Sequence, residues 1–259
     1  ILHKKPTTSS SLKTKVMRAT PLKFYWLVFL AAASLRVTLT SLGVFIEDIS
    51  ADLALSKALT SLVVTIPTFC MGVCALLAKP ISRQFGLEKT LLYMLLLVAL
   101  ATVFRTHFSS VTLLLFFSFV MGLSIAVAGP LLTVFINRYF KKNKNHGMAL
   151  YSLGISISGV LGTLVGSFFR NQMEIKWNIA LEIWALPVFI VTLYWALHYF
   201  AYDSFNSSQR PRVEKAEAPP IFPWKEGKAW LLIFAFALQS QVFYNMIAWL
   251  IPYLQEEGL

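Results

Sequence analysis

Charged residues are scarce in this sequence. Only 14% of its 259 residues are Asp, Glu, Lys or Arg, and 57% are hydrophobic, whereas soluble domains carry about 25% charged residues. The mean hydropathy of +0.65 is correspondingly high. This balance excludes an ordinary soluble domain and predicts a chain that is largely embedded in a membrane.

Cysteine and histidine are scarce as well. Cys70 and Cys74 lie four residues apart on one face of an apolar segment, where their number and position exclude a disulfide framework and favour simple packing. The histidines all lie at or beyond the ends of apolar segments: His3, His107, His146 and His198. No phosphate-binding Gly-rich loop with Lys and Ser or Thr is present, so ATP is not the energy source on this chain. We therefore expect no cofactor and no metal.

Long apolar runs are what the sequence has instead. A membrane helix needs roughly 20 apolar residues, and seven runs qualify as candidates: 24–46, 58–78, 90–104, 110–136, 147–169, 179–200 and 229–254. The third is short, so its flanking Lys89 and Arg105 are expected to reach toward the lipid headgroups. None of the runs alternates at period two, which favours an all-α helical bundle over a barrel. The first is too long for a signal peptide and contains Arg36.

Basic residues predict the orientation of these helices. With the N-terminus in the cytoplasm, 18 of the 23 Lys and Arg residues fall on the cytoplasmic side. The outer segments carry only Lys57, Arg105, Arg170 and Lys176. By the positive-inside rule, we expect an integral protein of the cell membrane with a cytoplasmic N-terminus. The net charge of +11 is then a topology signal, and nucleic acid is not an expected partner.

The order of polar and apolar segments predicts four parts. Residues 1–23 form a basic cytoplasmic segment, 24–200 a six-helix unit, 201–228 a polar cytoplasmic linker, and 229–259 one further helix. The last helix repeats the first: a shift of 204 residues aligns WLVFLAAASLRVTLTSLGVF with WLLIFAFALQSQVFYNMIAW. Six helices, a linker and a restart are the layout of a transporter built from two parallel halves. Because the chain begins with Ile1 and stops just after the seventh run, we expect a fragment of such a protein.

Several short motifs strengthen this interpretation. They are Leu35-Arg36 followed by Thr40-Ser41-x-Gly43, ADLALS at 51–56, FGLEK at 85–89, Pro130, and GMALY at 147–151. On these residues the chain resembles the major facilitator superfamily, and more narrowly its cyanate permease branch. The resemblance implies the N-terminal half plus the first helix of the second half, and a monomer at full length. It also implies secondary active or facilitative transport by alternating access.

The segment between the second and third runs departs from the superfamily pattern. The superfamily motif there reads Gly-x-x-x-Asp-Arg-x-Gly-Arg-Arg. Gly86 matches its second glycine, but Lys79 replaces the first and Arg83 replaces the aspartate. We expect a gating loop that contains Arg83, Gly86 and Lys89, without the usual carboxylate. The fifth run also lacks the proline of the antiporter motif after SG at 158–159, so antiport is not supported.

Small residues recur every fourth position in the fifth run, at Gly154, Ser158, Gly162 and Gly166. Such a ridge allows another helix backbone to approach closely. Two alternatives remain open at this point. The ridge packs within its own half, or, as the resemblance implies, it lies at the interface between halves that rocks during transport.

Arg36 is the most informative single residue. It lies 13 residues after Lys23 and 11 before Glu47, which places it near the membrane midplane at 1.5 Å per residue. A central arginine costs about 2.5 to 3.5 kcal/mol on insertion scales, so it is expected to have a function. A structural ion pair would need a buried carboxylate, and Glu182, the one candidate in these runs, fits the outer interface. The partner is then an acid in other helices or the solute.

Polar residues at matching depth extend the predicted solute site. Thr40 and Gly43 follow Arg36 at helical spacing, and the seventh run carries Gln239 and a further group of three at the same depth. The predicted substrate-binding residues are Arg36, Thr40, Gln241, Tyr244 and Asn245. Arg36 would dock an anionic or polar group bidentately.

These sequence features together predict membrane transport of a small anion or polar organic solute, which is cyanate-like by resemblance. The alternatives are a truncated, transport-inactive membrane fragment and a monocarboxylate or drug transporter of the same superfamily. A seven-helix receptor would need an outward N-terminus, which contradicts the charge bias. A membrane enzyme has little support because no cluster of catalytic residues gathers at one depth.

Overall fold

The computed structural model describes residues 22–107, 110–140 and 143–205, together with 226–228, 230, 231, 234, 235, 238, 239, 242 and 246. Helices dominate throughout these residues, and no strand occurs among them. The predicted all-α membrane bundle is thereby confirmed. The predicted linker, most of the seventh run, and the candidate site residues Gln241, Tyr244 and Asn245 lie outside the described residues.

Nine α-helices make up the described bundle, and we number them along the chain. They are α1 (Leu22–Val44), α2 (Ile46–Asp52), α3 (Lys57–Val73), α4 (Ala78–Phe85), α5 (Leu87–His107), α6 (Val111–Tyr139), α7 (Lys144–Asn171), α8 (Trp177–Ile183) and α9 (Ala185–Phe205). A 3-10 turn, Cys74–Leu77, joins α3 to α4.

Six membrane spans can be built from these helices. By length and composition they are Leu22–Val44, Lys57–Phe85, Leu87–His107, Val111–Tyr139, Lys144–Asn171 and Trp177–Phe200. They coincide with the first six predicted runs. The third is longer than predicted, since α5 continues through Arg105 to His107.

Local sequence explains where several helices begin and end. The Ser56 hydroxyl caps α3 by accepting a hydrogen bond from the Leu59 N–H at 3.3 Å. Gly86 ends α4 with φ of +88°, a conformation that other residues adopt at a cost. The predicted gating loop is therefore a single glycine between two helices.

Packing is centred on α1, which is the most enclosed span: 72% of its 18-residue apolar stretch is buried, against 22% for that of the α3–α4 span and 17% for that of α7. The main apolar core joins α1, α5, α6 and α9, with Val28, Leu95, Leu132 and Trp195 fully or almost fully buried. The weakly buried spans present large apolar side chains outward, as lipid or further membrane helices require.

The small-residue ridge lies in the contact between α7 and α1. Gly154, Ser158, Gly162 and Gly166 are all buried. A Cβ atom at Gly154 would lie 2.6 Å from the Phe29 carbonyl oxygen, and one at Gly162 would lie 2.4 Å from the Thr40 Oγ1. Among the described residues the ridge thus packs against α1 within its own half, which favours the first of the two alternatives. The interface between halves stays a prediction. The spacing predicted a close approach but could not identify the partner.

Candidate functional site

A cavity of about 350 Å³ opens beside the middle of α1. Its walls come from α1, α3, the 3-10 turn, α6 and α7. The lining residues are Leu35, Arg36, Leu39, Met71, Ala75, Ile125, Ala126, Gly129, Pro130, Thr133, Tyr151 and Ile155. Most are apolar, so a charge placed among them acts in a medium of low dielectric constant.

Arg36 is the single charged residue of this lining. Its side chain is half-buried, while neighbouring α1 residues such as Leu35 and Val37 are buried in the core. The rigid helix therefore presents the guanidinium to the cavity. A planar guanidinium offers five N–H donors and binds carboxylate-like groups bidentately.

Two hydroxyl groups share the cavity with Arg36. Tyr151 interacts electrostatically with the arginine, and a Cβ at Gly129 would lie 3.8 Å from the Tyr151 hydroxyl. Gly129 thus leaves room beside the phenol. The Thr133 hydroxyl donates to the Pro130 carbonyl at 2.7 Å. Sequence reasoning missed both residues as site candidates, although Tyr151 closes the GMALY motif.

Pro130 gives the cavity a further polar feature. A proline inside a helix has no N–H to donate to the carbonyl four residues earlier, which here belongs to Ala126. Both residues line the cavity. The Ala126 carbonyl therefore lacks its usual intrahelical hydrogen-bond donor in α6.

Comparison with known proteins identifies the family. The family model described as Major Facilitator Superfamily matches residues 28–259. This chain belongs to that superfamily.

Three curated transport proteins are similar to the chain. The uncharacterized transporter YycB of Bacillus subtilis (strain 168) is 26% identical over 239 residues, covering 91% of this chain and 57% of that protein. The 2-nitroimidazole transporter of Escherichia coli (strain K12) is 26% identical, covering 89% and 57%. The cyanate transport protein CynX of the same strain is 24% identical, covering 88% and 58%. The chain thus spans little more than half the length of these relatives.

A solved structure shows the same fold. A mutant of the peptide transporter POT, in complex with sulfate, superposes with a TM-score of 0.62 at 14% identity, over 86% of this chain and 46% of that one. Together with the family match, this supports an integral membrane protein of the major facilitator fold.

Thr40 does not contribute to the cavity of this superfamily member. It is 2% exposed, its hydroxyl lies 3.3 Å and 3.4 Å from the Arg36 and Val37 carbonyl oxygens of its own helix, and it packs over Gly162. Among the described residues Thr40 thus lies in the contact between α1 and α7, and its contact with solute stays a prediction. The spacing of four residues placed it near Arg36, but the side of α1 that it occupies faces α7.

The other predicted solute contacts cannot be placed in the same way. Gln241, Tyr244 and Asn245 lie outside the described residues and stay predictions. Gln239 is described and exposed.

The departure from the superfamily gating motif is accompanied by a nearby carboxylate. Arg83 and Lys89 are exposed on either side of Gly86, whereas Glu88 accepts a hydrogen bond from the Tyr139 hydroxyl and pairs with Arg138 at 3.7 Å. Glu88 therefore joins the start of α5 to the end of α6. Sequence analysis had assigned no role to this acid.

Glu182 lies at the end of the bundle where α8 meets the end of α5. Its Oε1 accepts from the Thr106 hydroxyl at 3.4 Å and lies 3.6 Å from His107 Nδ1. It contacts the end of α5, so it is not the ion-pair partner of Arg36.

Arg105 departs most from expectation. It was predicted to reach toward lipid headgroups, but its side chain is 0% exposed. Its Nη2 donates to the Thr38 carbonyl at 3.4 Å and its Nη1 to the Met121 sulfur at 3.6 Å. The side chain turns inward because α5 continues past it and packs against α6.

Proposed function

We propose that the protein transports a small anion or polar organic solute across the cell membrane by alternating access, as a secondary active or facilitative carrier. The observation that supports this most is the position of Arg36, which among the described residues is the only charged side chain lining an apolar cavity. A charge so placed binds an acceptor group strongly because water competes weakly there.

The size of the cavity favours a small solute. Its 350 Å³ is at the low end of ligand sites, which span about 300–1,000 Å³. The described walls come from one half of a two-half fold, and the predicted seventh helix would add Gln241, Tyr244 and Asn245 from the other side.

The relatives suggest a shared solute chemistry. Two of them are named for the transport of cyanate and of a 2-nitroimidazole. Cyanate is a small anion, and a nitro group presents two acceptor oxygens in a plane, much like a carboxylate. A guanidinium fork suits both. We therefore infer a small planar solute whose acceptor end contacts Arg36; monocarboxylates fit the same chemistry and belong in the substrate panel.

Uptake by an Arg36→Gln variant tests the proposal. Glutamine keeps part of the length and polarity but removes the charge and the fork. Losing a charge-assisted, bidentate contact costs roughly 1.5–3 kcal/mol, or about 10- to 100-fold in affinity. We expect uptake of the anion to fall by at least about tenfold at solute concentrations below KM.

The matched control is Arg210→Gln in the predicted cytoplasmic linker, which also removes one arginine from the chain. Membrane insertion of both variants is measured in the same preparations. Uptake kinetics that are unchanged in a correctly inserted Arg36→Gln protein would contradict the proposal.

A further inference from the structure

Arg105 carries a positive charge in the interior of the bundle, away from the cavity. It is 0% exposed and lies between α1, α5 and α6. Its two terminal nitrogens have acceptors, but Nε has none. Among the described residues, no carboxylate lies within ion-pair distance of it, since each acid that forms a salt bridge does so with Arg138, Arg170 or His107.

Hydroxyl groups without hydrogen-bond partners lie on the neighbouring helices. Thr38, whose carbonyl accepts from Arg105, has a buried Oγ1 with no partner. The same holds for Ser118, which is fully buried one helical turn before Met121, the other contact of Arg105. Residues three apart share a helix face, so Ser118 and Met121 face the same region as the guanidinium.

The positive charge of this region has little compensation. A guanidinium only donates hydrogen bonds, and each unpartnered hydroxyl can donate a further one. The acceptors in contact with Arg105 are one carbonyl and one thioether, and a thioether is a weak acceptor. A buried charge with so little compensation is costly. A group that accepts several hydrogen bonds and carries negative charge would remove both deficits at once.

We propose that Arg105, Thr38 and Ser118 form an occluded binding site for a small monovalent anion, such as chloride or a small transported anion. The anion would accept hydrogen bonds from Arg105 Nε and from the two hydroxyls. Water is a poorer occupant because it supplies no negative charge and brings two further donors. This site is distinct from the cavity in its residues, since Thr38, Arg105, Ser118 and Met121 are not among the residues that line the cavity.

Thermal unfolding of the purified full-length protein in detergent tests this site. A ligand that binds only the folded state raises the midpoint as its concentration increases. Midpoints are compared in sodium chloride, sodium cyanate and sodium gluconate at equal ionic strength, because gluconate is too large for an occluded site. We expect a higher midpoint in chloride than in gluconate for the wild-type protein, and no such difference for Arg105→Gln.

Two further variants keep the test decisive if Arg105→Gln fails to fold. Ser118→Ala should weaken the apparent chloride affinity about tenfold or more, the value of one hydrogen bond to a charged acceptor. Ser124→Ala is its matched control on the same helix, since the Ser124 hydroxyl is buried but donates to the Val120 carbonyl at 2.8 Å. It should leave the chloride affinity unchanged.

An Arg36→Gln variant separates this site from the proposed transport site. It should keep the full chloride response even if it no longer transports. In this variant, a midpoint that is higher in both chloride and cyanate than in gluconate would identify a site for any small anion. A midpoint that is higher in chloride alone would identify a site for a resident chloride ion. Equal midpoints in chloride and gluconate for the wild-type protein would overturn the inference, as would a chloride response unaltered by Arg105→Gln or by Ser118→Ala.

Discussion

At the scale of single residues, two arginines of the bundle differ in how directly the sequence indicated their position. Arg36 interrupts a long apolar run, so its depth followed from counting residues. Arg105 lies at the end of a short run, and the usual outcome there is a side chain that reaches the headgroups. Its burial depends on how far α5 extends and on its contacts with α1 and α6, which are tertiary features that a run length does not encode.

Replacing Arg36 by lysine separates charge from shape. Arg36→Lys keeps the positive charge but loses the planar fork, which lysine does not reproduce at a bidentate site. We expect KM for the transported anion to rise about tenfold with less effect on the maximal rate, measured by initial uptake rates normalised to protein in the membrane. A lysine variant with wild-type KM would show that the fork is not used.

Removing one hydroxyl from the cavity tests the role of Tyr151. Tyr151→Phe leaves the ring in place and deletes the hydroxyl that lies near Gly129 and Arg36. Loss of one hydrogen bond to solute should raise KM about fivefold. Tyr199→Phe, a tyrosine that is not part of the cavity lining, provides the comparison, and equal KM values in the two variants would remove Tyr151 from the site.

At the scale of helices, sequence patterns predicted elements better than partners. Apolar runs located the six spans, and the four-residue spacing located the ridge on α7. The same spacing said nothing about which helix meets the ridge, because any close-approaching backbone satisfies it. Thr40 illustrates this: among the described residues it lies in the α1–α7 contact rather than in the cavity lining.

The ridge can be tested by adding single methyl groups. Gly154→Ala would place a Cβ 2.6 Å from the Phe29 carbonyl oxygen, a backbone atom that cannot rotate away. Such overpacking typically costs about 1–3 kcal/mol, so we expect a lower thermal unfolding midpoint in detergent. Gly72→Ala is the matched control, since nothing lies within 4 Å of its added Cβ. A Gly154→Ala protein as stable as Gly72→Ala would contradict the described α1–α7 contact.

At the scale of the whole molecule, ion pairs join helices at both ends of the bundle. On one end, Arg170 pairs with Asp48 at 2.9 Å and with Glu47 at 3.1 Å, which links α7 to α2. At the other end, Glu88 pairs with Arg138. The basic residues of the sequence predict that the Glu88 end is cytoplasmic. The geometry of the bundle is compatible with either orientation, so orientation rests on charge alone.

Labelling of single cysteines tests this orientation. In a background of Cys70→Ser and Cys74→Ser, one cysteine is introduced at Lys144 or at Lys176. Lys144 is exposed at the start of α7, and Lys176 is exposed in the loop that follows the end of α7. A thiol reagent that does not cross membranes should label Lys176→Cys in intact cells and Lys144→Cys only after permeabilisation. The reverse pattern would place the N-terminus outside.

Solute protection of the cavity is the measurement that tests the central claim most directly. Thr133→Cys in the same Cys70→Ser and Cys74→Ser background puts a thiol into the cavity lining. Its alkylation rate is followed in purified protein with and without cyanate or a nitroimidazole. If Arg36 docks the solute there, the solute slows alkylation of Thr133→Cys, leaves Lys144→Cys unaffected, and loses its effect when Arg36→Gln is added. Alkylation of Thr133→Cys at the same rate with and without every solute of the panel would contradict the account.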